Sequence, residues 1–168
     1  YNLFFVIDRA ASMGENGKWD ALVPAMDSFF ASADSSGLGV GLFFFPVPPV
    51  DPIPTSCSID ADCGLYGPCL PSPFFVCAGS LAPDSSCVVS DYNTPPRELR
   101  LLHQAATALQ TEMASHTADG GATTTQPAMI GALSTVSTYA EAHPEEHTRV
   151  VLITDDEPTG CSYNNSLT

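Results

Sequence analysis

The segment from Asn2 to Met13 reads NLFFVIDRAASM, and it decides how the rest of the chain is interpreted. Residues 3–7 form an unbroken apolar run, which is typical of a strand buried on both faces of a parallel sheet. The run ends at Asp8, and a hydroxyl-bearing side chain, Ser12, follows on the same turn. Open α/β sheets place their ligand sites at the carboxyl ends of strands, so these side chains predict a site for a hard cation.

The charge balance limits the partners that the chain can have. Its 168 residues carry 19 acidic and 5 basic side chains, a formal net charge of -14. Such a chain cannot neutralise a row of phosphates, so we expect no nucleic-acid partner. An acidic surface favours cations or basic partners, and it also favours solubility. The length is that of one domain with a sizeable core.

The cysteines indicate disulfide bonds. Five of the six lie within residues 57–87, and the sixth is Cys161. This clustering indicates an oxidising compartment, so we expect a secreted, extracellular or cell-surface protein. The spacings lack the closely spaced cysteine pairs of zinc knuckles. We expect the four cysteines up to Cys77 to pair among themselves and Cys87 to pair with Cys161. The apolar runs are too short to span a bilayer, so we expect no membrane insertion.

The middle of the chain predicts a helix, a strand and an insertion. Apolar residues recur at helical spacing from Trp19 to about Ser32, and residues 38–45 form a second strand. A stretch rich in proline and cysteine follows at about residues 46–90, and without periodicity of its own it needs disulfides to be ordered. Val88-Val89 predicts a short strand antiparallel to the second strand, which makes the stretch a hairpin insertion.

The remainder predicts two helices and a strand. Paired prolines at 95 and 96 lead into a helix whose apolar side runs from Leu99 to Met113. Residues 119–125, here called the glycine-threonine loop, contain two glycines and three threonines. Residues 150–153 form a second fully apolar strand, which also ends in acid at Asp155. The helix after the glycine-threonine loop carries Met129, Leu133, Val136 and Tyr139.

The alternation of strands and helices predicts an α/β fold. We expect a doubly wound, mostly parallel, Rossmann-like sheet with helices on both faces and a disulfide-rich hairpin insertion. In such a sheet the strand ends at Asp8 and Asp155 share one edge, and the glycine-threonine loop lies there too. Three oxygen-rich loops are therefore expected to converge.

Three motifs in this order resemble those of a von Willebrand factor A-type domain with a metal-ion-dependent adhesion site. The family's Asp-x-Ser-x-Ser is similar to residues 8–12, its Gly-Gly-x-Thr-x-Thr to residues 120–125, and its Thr-Asp-Gly-Glu to residues 154–157. The resemblance covers residues 3–45 and 88–160. It implies one domain over residues 1–168, with the cysteine-rich insertion and without the family's last strand and helix units.

The resemblance also implies a function and a ligand set. Ser12 and Thr123 would ligate a divalent cation directly, while Asp8 and Asp155 would ligate it or supply charge. The expected ion is Mg²⁺, with Ca²⁺ or Mn²⁺ as alternatives. An Asp or Glu carboxylate of a partner protein would complete the coordination. The resemblance thus implies an extracellular adhesion or protein-binding module.

The sequence departs from the family pattern in three places. Ala10 stands where the family has a coordinating serine, so either water fills that position or metal affinity falls. Asp156 replaces a glycine and adds a carboxylate beside the site. The chain stops at Thr168, whereas such domains continue. Without the missing units the strand ending at Asp155 would have an exposed edge, so we expect either a fragment or a sheet completed by another chain.

Two other function classes are alternatives to adhesion. One is a metal-independent structural or assembly subunit of the same fold, which binds through the insertion or the incomplete sheet edge. The other is an enzyme with a zinc site at residues 143–147. Their sequence, HPEEH, has displaced glutamates and a proline that disfavours a helix, so we expect no enzymatic activity. Residues 164–166 have the spacing of an N-glycosylation site.

Overall fold

The computed structural model describes residues 1–95 and 97–161, so the glycosylation motif at residues 164–166 lies outside the described residues. The strands form one sheet in the order β3-β2-β1-β4. β1 pairs in parallel with β2 and β4, and β3 is antiparallel to β2, which confirms an α/β class with a mostly parallel sheet. The elements are β1 (Asn2–Asp8), α1 (Lys18–Ala31), β2 (Gly39–Phe45), β3 (Arg97–Leu101), α2 (Leu102–Ser115), α3 (Thr125–Ala142) and β4 (Thr148–Ile153).

Both faces of the sheet are covered by helices. Successive side chains of a strand point to opposite faces, and the two central strands are apolar at nearly every position. Phe5 and Ile7 of β1 therefore pack with α1 and α2 on one face. Phe4 and Val6 pack with α3 on the other. This two-sided burial explains why the apolar run in β1 has no alternation.

The antiparallel neighbour of β2 is β3, so the strand predicted at Val88-Val89 is wrong. Val89 instead begins a short 3-10 helix. β3 alternates as an edge strand does, with Leu99 packed against the sheet core and Arg100 exposed. The helix predicted to include Leu99 accordingly begins later, at Leu102. Pro96, one of the two prolines assigned to the helix start, lies outside the described residues.

Small residues of α3 make its closest contact with the rest of the fold. Ala128, Gly131 and Ala132 are buried, whereas Leu133, which the sequence placed on the apolar side, is 46% exposed. A Cβ atom at Gly131 would lie 2.6 Å from the Cβ atom of Tyr92. The missing side chain therefore allows α3 to lie directly against the 3-10 helix that contains Tyr92.

Gly131→Ala is expected to lower the free energy of unfolding by about 2 kcal/mol, because the new methyl group overlaps Tyr92. The loss should appear although alanine is the better helix former. Urea denaturation measures it. Gly37→Ala is the matched control, since a Cβ atom at Gly37 would have nothing within 4 Å. Equal stabilities of the two variants would contradict the close packing of α3.

Three disulfides organise the insertion between β2 and β3. Cys87 is joined to Cys161, in the loop after β4. The prediction of a four-cysteine unit and a separate Cys87–Cys161 bridge is therefore confirmed. The described cysteines are all oxidised, so none is a thiolate that could ligate zinc. The four-cysteine unit contains the disulfides Cys57–Cys69 and Cys63–Cys77.

β4 lies at one edge of the described sheet. Its residues are only partly buried, and Leu152 is 39% exposed. The prediction of a strand buried on both faces is therefore wrong for β4, because within the described residues it has a neighbour, β1, on one side only. The other side of β4 has no paired strand in this part of the chain.

Candidate functional site

Three loops meet at the carboxyl edge of the sheet, as predicted. Asp8 ends β1, and Asp155 follows the end of the adjacent strand β4. Gly120 of the glycine-threonine loop forms a β-bridge with Ala10, and its amide donates to the carbonyl of Arg9 at 3.0 Å. We call this edge the rim and define it as residues 8–17, 119–125 and 154–161.

The glycines of the rim permit close contact between its loops. A Cβ atom at Gly120 would lie 2.9 Å from the carbonyl oxygen of Arg9 and 2.8 Å from Pro46. A Cβ atom at Gly160 would lie 2.6 Å from the methyl group of Thr124. Neither glycine has a positive φ. The close approach of neighbouring loops, and not an unusual backbone conformation, is therefore what requires glycine here.

Asp8 is a buried carboxylate in a negative environment. Its side chain is 0% exposed. One oxygen accepts a hydrogen bond from the amide of Ala10 at 2.8 Å, and the other accepts from the hydroxyl of Thr154 at 2.6 Å. Burial is the main cause that raises the pKa of Asp8; the two hydrogen bonds oppose it, and the charges of Asp155 and Asp156 add to it. The two hydrogen bonds therefore only partly offset the cost of burying the negative charge of Asp8.

Asp155 is engaged by two groups. Its Oδ1 atom accepts a hydrogen bond from the Ser12 hydroxyl at 2.9 Å. Its Oδ2 atom forms an ion pair with the ammonium of Lys18, which also donates to the carbonyl of Ser12 at 3.1 Å. The hydrogen bond from Lys18 is the main cause that holds the pKa of Asp155 below its ordinary value. Ser12, Lys18 and Asp155 therefore join two of the three rim loops.

Thr123 lies in the rim but is not part of this hydrogen-bonded group. Within the described residues, its hydroxyl makes no hydrogen bond to the other three predicted site residues. Its amide donates to the hydroxyl of Thr159 at 3.2 Å, and its carbonyl accepts from the Thr159 amide at 3.0 Å. Thr125 has a buried hydroxyl oxygen with no hydrogen-bond partner among the described residues. Two threonines of the predicted motif thus lie in the rim, without a hydrogen bond to Asp8 or Asp155 among the described residues.

Two residues that shape the rim were not identified from the sequence. Lys18 left one signal, because it is the only lysine of the chain and stands at the first position of α1, where the helix dipole disfavours a positive charge. Tyr92 left none. It is buried, and its hydroxyl lies 2.7 Å from that of Thr124. Burial is the main cause that raises the pKa of Tyr92 to about 12.

The insertion braces two of the rim loops. The hydroxyl of Ser85 accepts a hydrogen bond from the amide of Ala122 at 2.8 Å. The Cys87–Cys161 disulfide fixes the loop that follows β4. The position of the glycine-threonine loop and of Asp155 therefore depends on the insertion as well as on the sheet.

A second group of possible ligands lies at the opposite edge of the sheet, formed by His143, Glu145 and Glu146. Glu146 is already engaged, because it accepts hydrogen bonds from Asn2 at 2.5 Å and Tyr139 at 2.7 Å. The three residues lie in the turn between α3 and β4. A zinc-protease site needs two histidines on one helical face, and this turn does not provide it.

A cavity of about 660 Å³ lies away from the rim, between α3 and β3. Phe4, Leu99 and Tyr139 supply much of its wall, and Glu98 is its carboxylate. It contains none of the predicted site residues. The candidate cation site is therefore at the rim, where Asp8 and Asp155 lie, and not in this cavity.

No protein-family model matches the sequence, and no curated protein matches it. Within the described residues, no helix has both the length and the apolar character that crossing a membrane requires. The three motifs and the geometry of the rim are therefore the grounds on which a function can be proposed.

Proposed function

We propose that this protein is a non-enzymatic, extracellular adhesion or protein-binding module of the von Willebrand factor A type. It would capture an Asp or Glu carboxylate of a partner protein through a divalent cation held by Asp8, Ser12, Thr123 and Asp155. The observation that carries the proposal is the meeting of Asp8, Ser12 and Asp155 at one sheet edge. The three disulfides support a secreted or cell-surface location. We further propose that the whole domain has a doubly wound, Rossmann-like arrangement.

The donor set fits a hard divalent ion such as Mg²⁺. Carboxylate and hydroxyl oxygens are the ligands that Mg²⁺ and Ca²⁺ prefer. Asp8 is buried beside the negative charges of Asp155 and Asp156, and a cation between them would offset their repulsion. The buried hydroxyl of Thr125, which lacks a described partner, adds an oxygen in the adjoining loop. When bound, the ion would supply the positive charge that attracts a partner's carboxylate.

The chain's own residues would hold these oxygens in place. The amide of Ala10 and the hydroxyl of Thr154 each donate to one oxygen of Asp8. A carboxylate oxygen that accepts one hydrogen bond keeps a further lone pair, so Asp8 can still ligate an ion. The Ser12 hydroxyl orients Asp155 in the same way. These hydrogen bonds would orient the carboxylates of Asp8 and Asp155 before an ion binds.

Ala10→Ser is expected to strengthen Mg²⁺ binding about tenfold, or 1.4 kcal/mol, because it restores a hydroxyl at the position where the family pattern has a ligand. Isothermal titration calorimetry measures the affinity. Ala11→Ser is the matched control, since Ala11 is exposed and stands at a variable position of the motif. Binding no tighter in Ala10→Ser than in the control would argue against a metal ligand at this position.

Capture of a carboxylate can be tested with Mn²⁺ and acetate. Mn²⁺ bound to the protein should enhance water proton relaxation, and acetate should reduce this enhancement as it displaces bound water. Removal of Mn²⁺ by EDTA should abolish the effect. The proposed function is refuted if no Mn²⁺ binding is seen by calorimetry in the wild type, in Ala10→Ser, or in a variant that also lacks the charge of Lys18.

The exposed edge of β4 supports a second candidate, a metal-independent assembly subunit. Within the described residues β4 has no neighbour on the side away from β1, and a strand of another chain could pair with this edge. The cysteine-rich insertion would be an additional contact surface. Light scattering with and without EDTA separates the candidates, because an oligomer that persists in EDTA favours assembly and a monomer in both conditions favours adhesion.

A further inference from the structure

We propose that the ammonium of Lys18, which directly follows the first rim loop, competes with a divalent ion for Asp155 and so determines how tightly the site binds metal. The inference rests on the proposed function, since it presupposes an ion at the rim. None of the three motifs includes a lysine, so Lys18 is a feature of this chain and not of the pattern that the chain resembles.

The contacts of Lys18 place a positive charge on a predicted metal ligand. Its ammonium pairs with Oδ2 of Asp155 and donates to the carbonyl of Ser12 at 3.1 Å. Ser12 itself donates to Oδ1 of the same carboxylate at 2.9 Å. An ion that ligates Asp155 would therefore lie close to the ammonium. Two positive charges at such short range repel strongly, so either the ammonium moves away or the ion binds weakly.

The helix that Lys18 begins does not favour its positive charge. It is the first residue of α1, and a cation in the first turn of a helix is opposed by the helix dipole. The chain has 19 acidic residues and this single lysine, which lies beside Asp155. The ion pair explains the placement, because Asp155 compensates the charge that α1 disfavours.

The accessibility of the pair allows exchange between the two cations. The side chain of Lys18 is 37% exposed, whereas that of Asp155 is 14% exposed. The long lysine side chain can therefore turn into solvent while the carboxylate remains in place. Without an ion, Lys18 joins the loop of Ser12 to the loop after β4 and keeps the rim ordered. With an ion, Lys18 is released. A tethered competitor of this kind raises the ion concentration at which the site fills.

Lys18→Met tests the competition, because it removes the charge and keeps an unbranched side chain. Calorimetry is expected to show that this variant binds Mn²⁺ about tenfold more tightly than wild type. Arg100→Met is the matched control, since it removes the same charge from an exposed residue of β3 whose ion pair is with Glu98. Lys18→Arg keeps the charge and should bind Mn²⁺ as weakly as the wild-type protein.

Amine labelling gives a second readout that does not depend on affinity. Because Lys18 is the only lysine, reductive methylation followed by peptide mass spectrometry reports on it apart from the chain's amino terminus. The methylation rate of Lys18 is expected to rise when Mn²⁺ is added, since the ammonium leaves Asp155. A rate that does not change with saturating Mn²⁺ would overturn the proposed competition.

The outcomes separate this inference from the proposed function. Equal Mn²⁺ affinities of the wild type and Lys18→Met would overturn the competition and leave the metal site standing. An absence of Mn²⁺ binding in the wild type, in Lys18→Met and in the Ala10→Ser/Lys18→Met double variant would overturn both. Tighter binding by Lys18→Met, but not by Arg100→Met, would support both. Circular dichroism establishes that each variant is folded.

Discussion

Replacement of Asp8 by asparagine is expected to lower the affinity for Mn²⁺ by more than about 100-fold. Loss of a residue that only supports a metal ligand already weakens binding by roughly 10- to 100-fold, and Asp8 is proposed as part of the site itself. Asparagine has the same shape and can accept the hydrogen bond from the amide of Ala10, so the loss is one of charge and not of structure. Calorimetry with Mn²⁺ measures the effect.

The same variant should not lose stability without metal. Burial raises the pKa of Asp8, so its ionised form opposes folding at neutral pH, and asparagine removes that cost. Urea denaturation in EDTA measures this. Asp34→Asn is the control for charge, because Asp34 is exposed and lies in a short 3-10 helix before β2, away from the rim. If Asp8→Asn and Asp34→Asn bind Mn²⁺ equally well, the site assignment fails.

Removal of the Cys87–Cys161 disulfide by serine at both positions is expected to destabilise the protein by about 4 kcal/mol. The two cysteines are 74 residues apart in sequence, and a longer closed loop restricts the unfolded chain more. Affinity for Mn²⁺ should also fall, because the loop that carries Asp155 loses its covalent anchor. Thermal unfolding and calorimetry measure the two effects.

The matched control is the removal of Cys57–Cys69, again by serine at both positions. This bridge has a sequence separation of 12 and lies within the insertion, so its loss should destabilise by about 3 kcal/mol or less and leave Mn²⁺ affinity unchanged. If both double variants retain full affinity, the insertion does not position the rim. If both lose it equally, the effect comes from general destabilisation.

The sequence predicted β1 correctly because this strand lies inside the sheet with helices on both faces, where an unbroken apolar run is buried. The same kind of run misled in β4, because β4 lies at an edge of the described sheet. The acid that follows each of these runs has a defined place in a parallel sheet. β3 was missed because Leu99 satisfies two periodicities at once. It fits the helical stripe of α2, and it also fits the alternation of an edge strand, which the pairing with β2 selects.

Contacts between distant parts of the chain account for what the sequence did not reveal. The hydrophobic pattern predicted that large residues of α3 face the core. The closest contact of α3 is instead at Gly131, which lies against Tyr92. In the rim, the motifs indicated Asp8, Ser12 and Asp155, but the ion pair of Lys18 with Asp155 joins residues 137 apart in sequence. No local pattern encodes such a pair, and only the fold reveals it.

The Cys87–Cys161 disulfide also determines how the chain responds to tension. If the two ends of the protein are pulled apart, the segment between these cysteines cannot lengthen, because the covalent bond bypasses it. That segment contains β3, α2, α3 and β4, together with the glycine-threonine loop and Asp155. Stretching would therefore extract β1 and β2 while two of the three rim loops stay within a closed covalent ring. A module that holds a partner under load would lose Asp8 and Ser12 first.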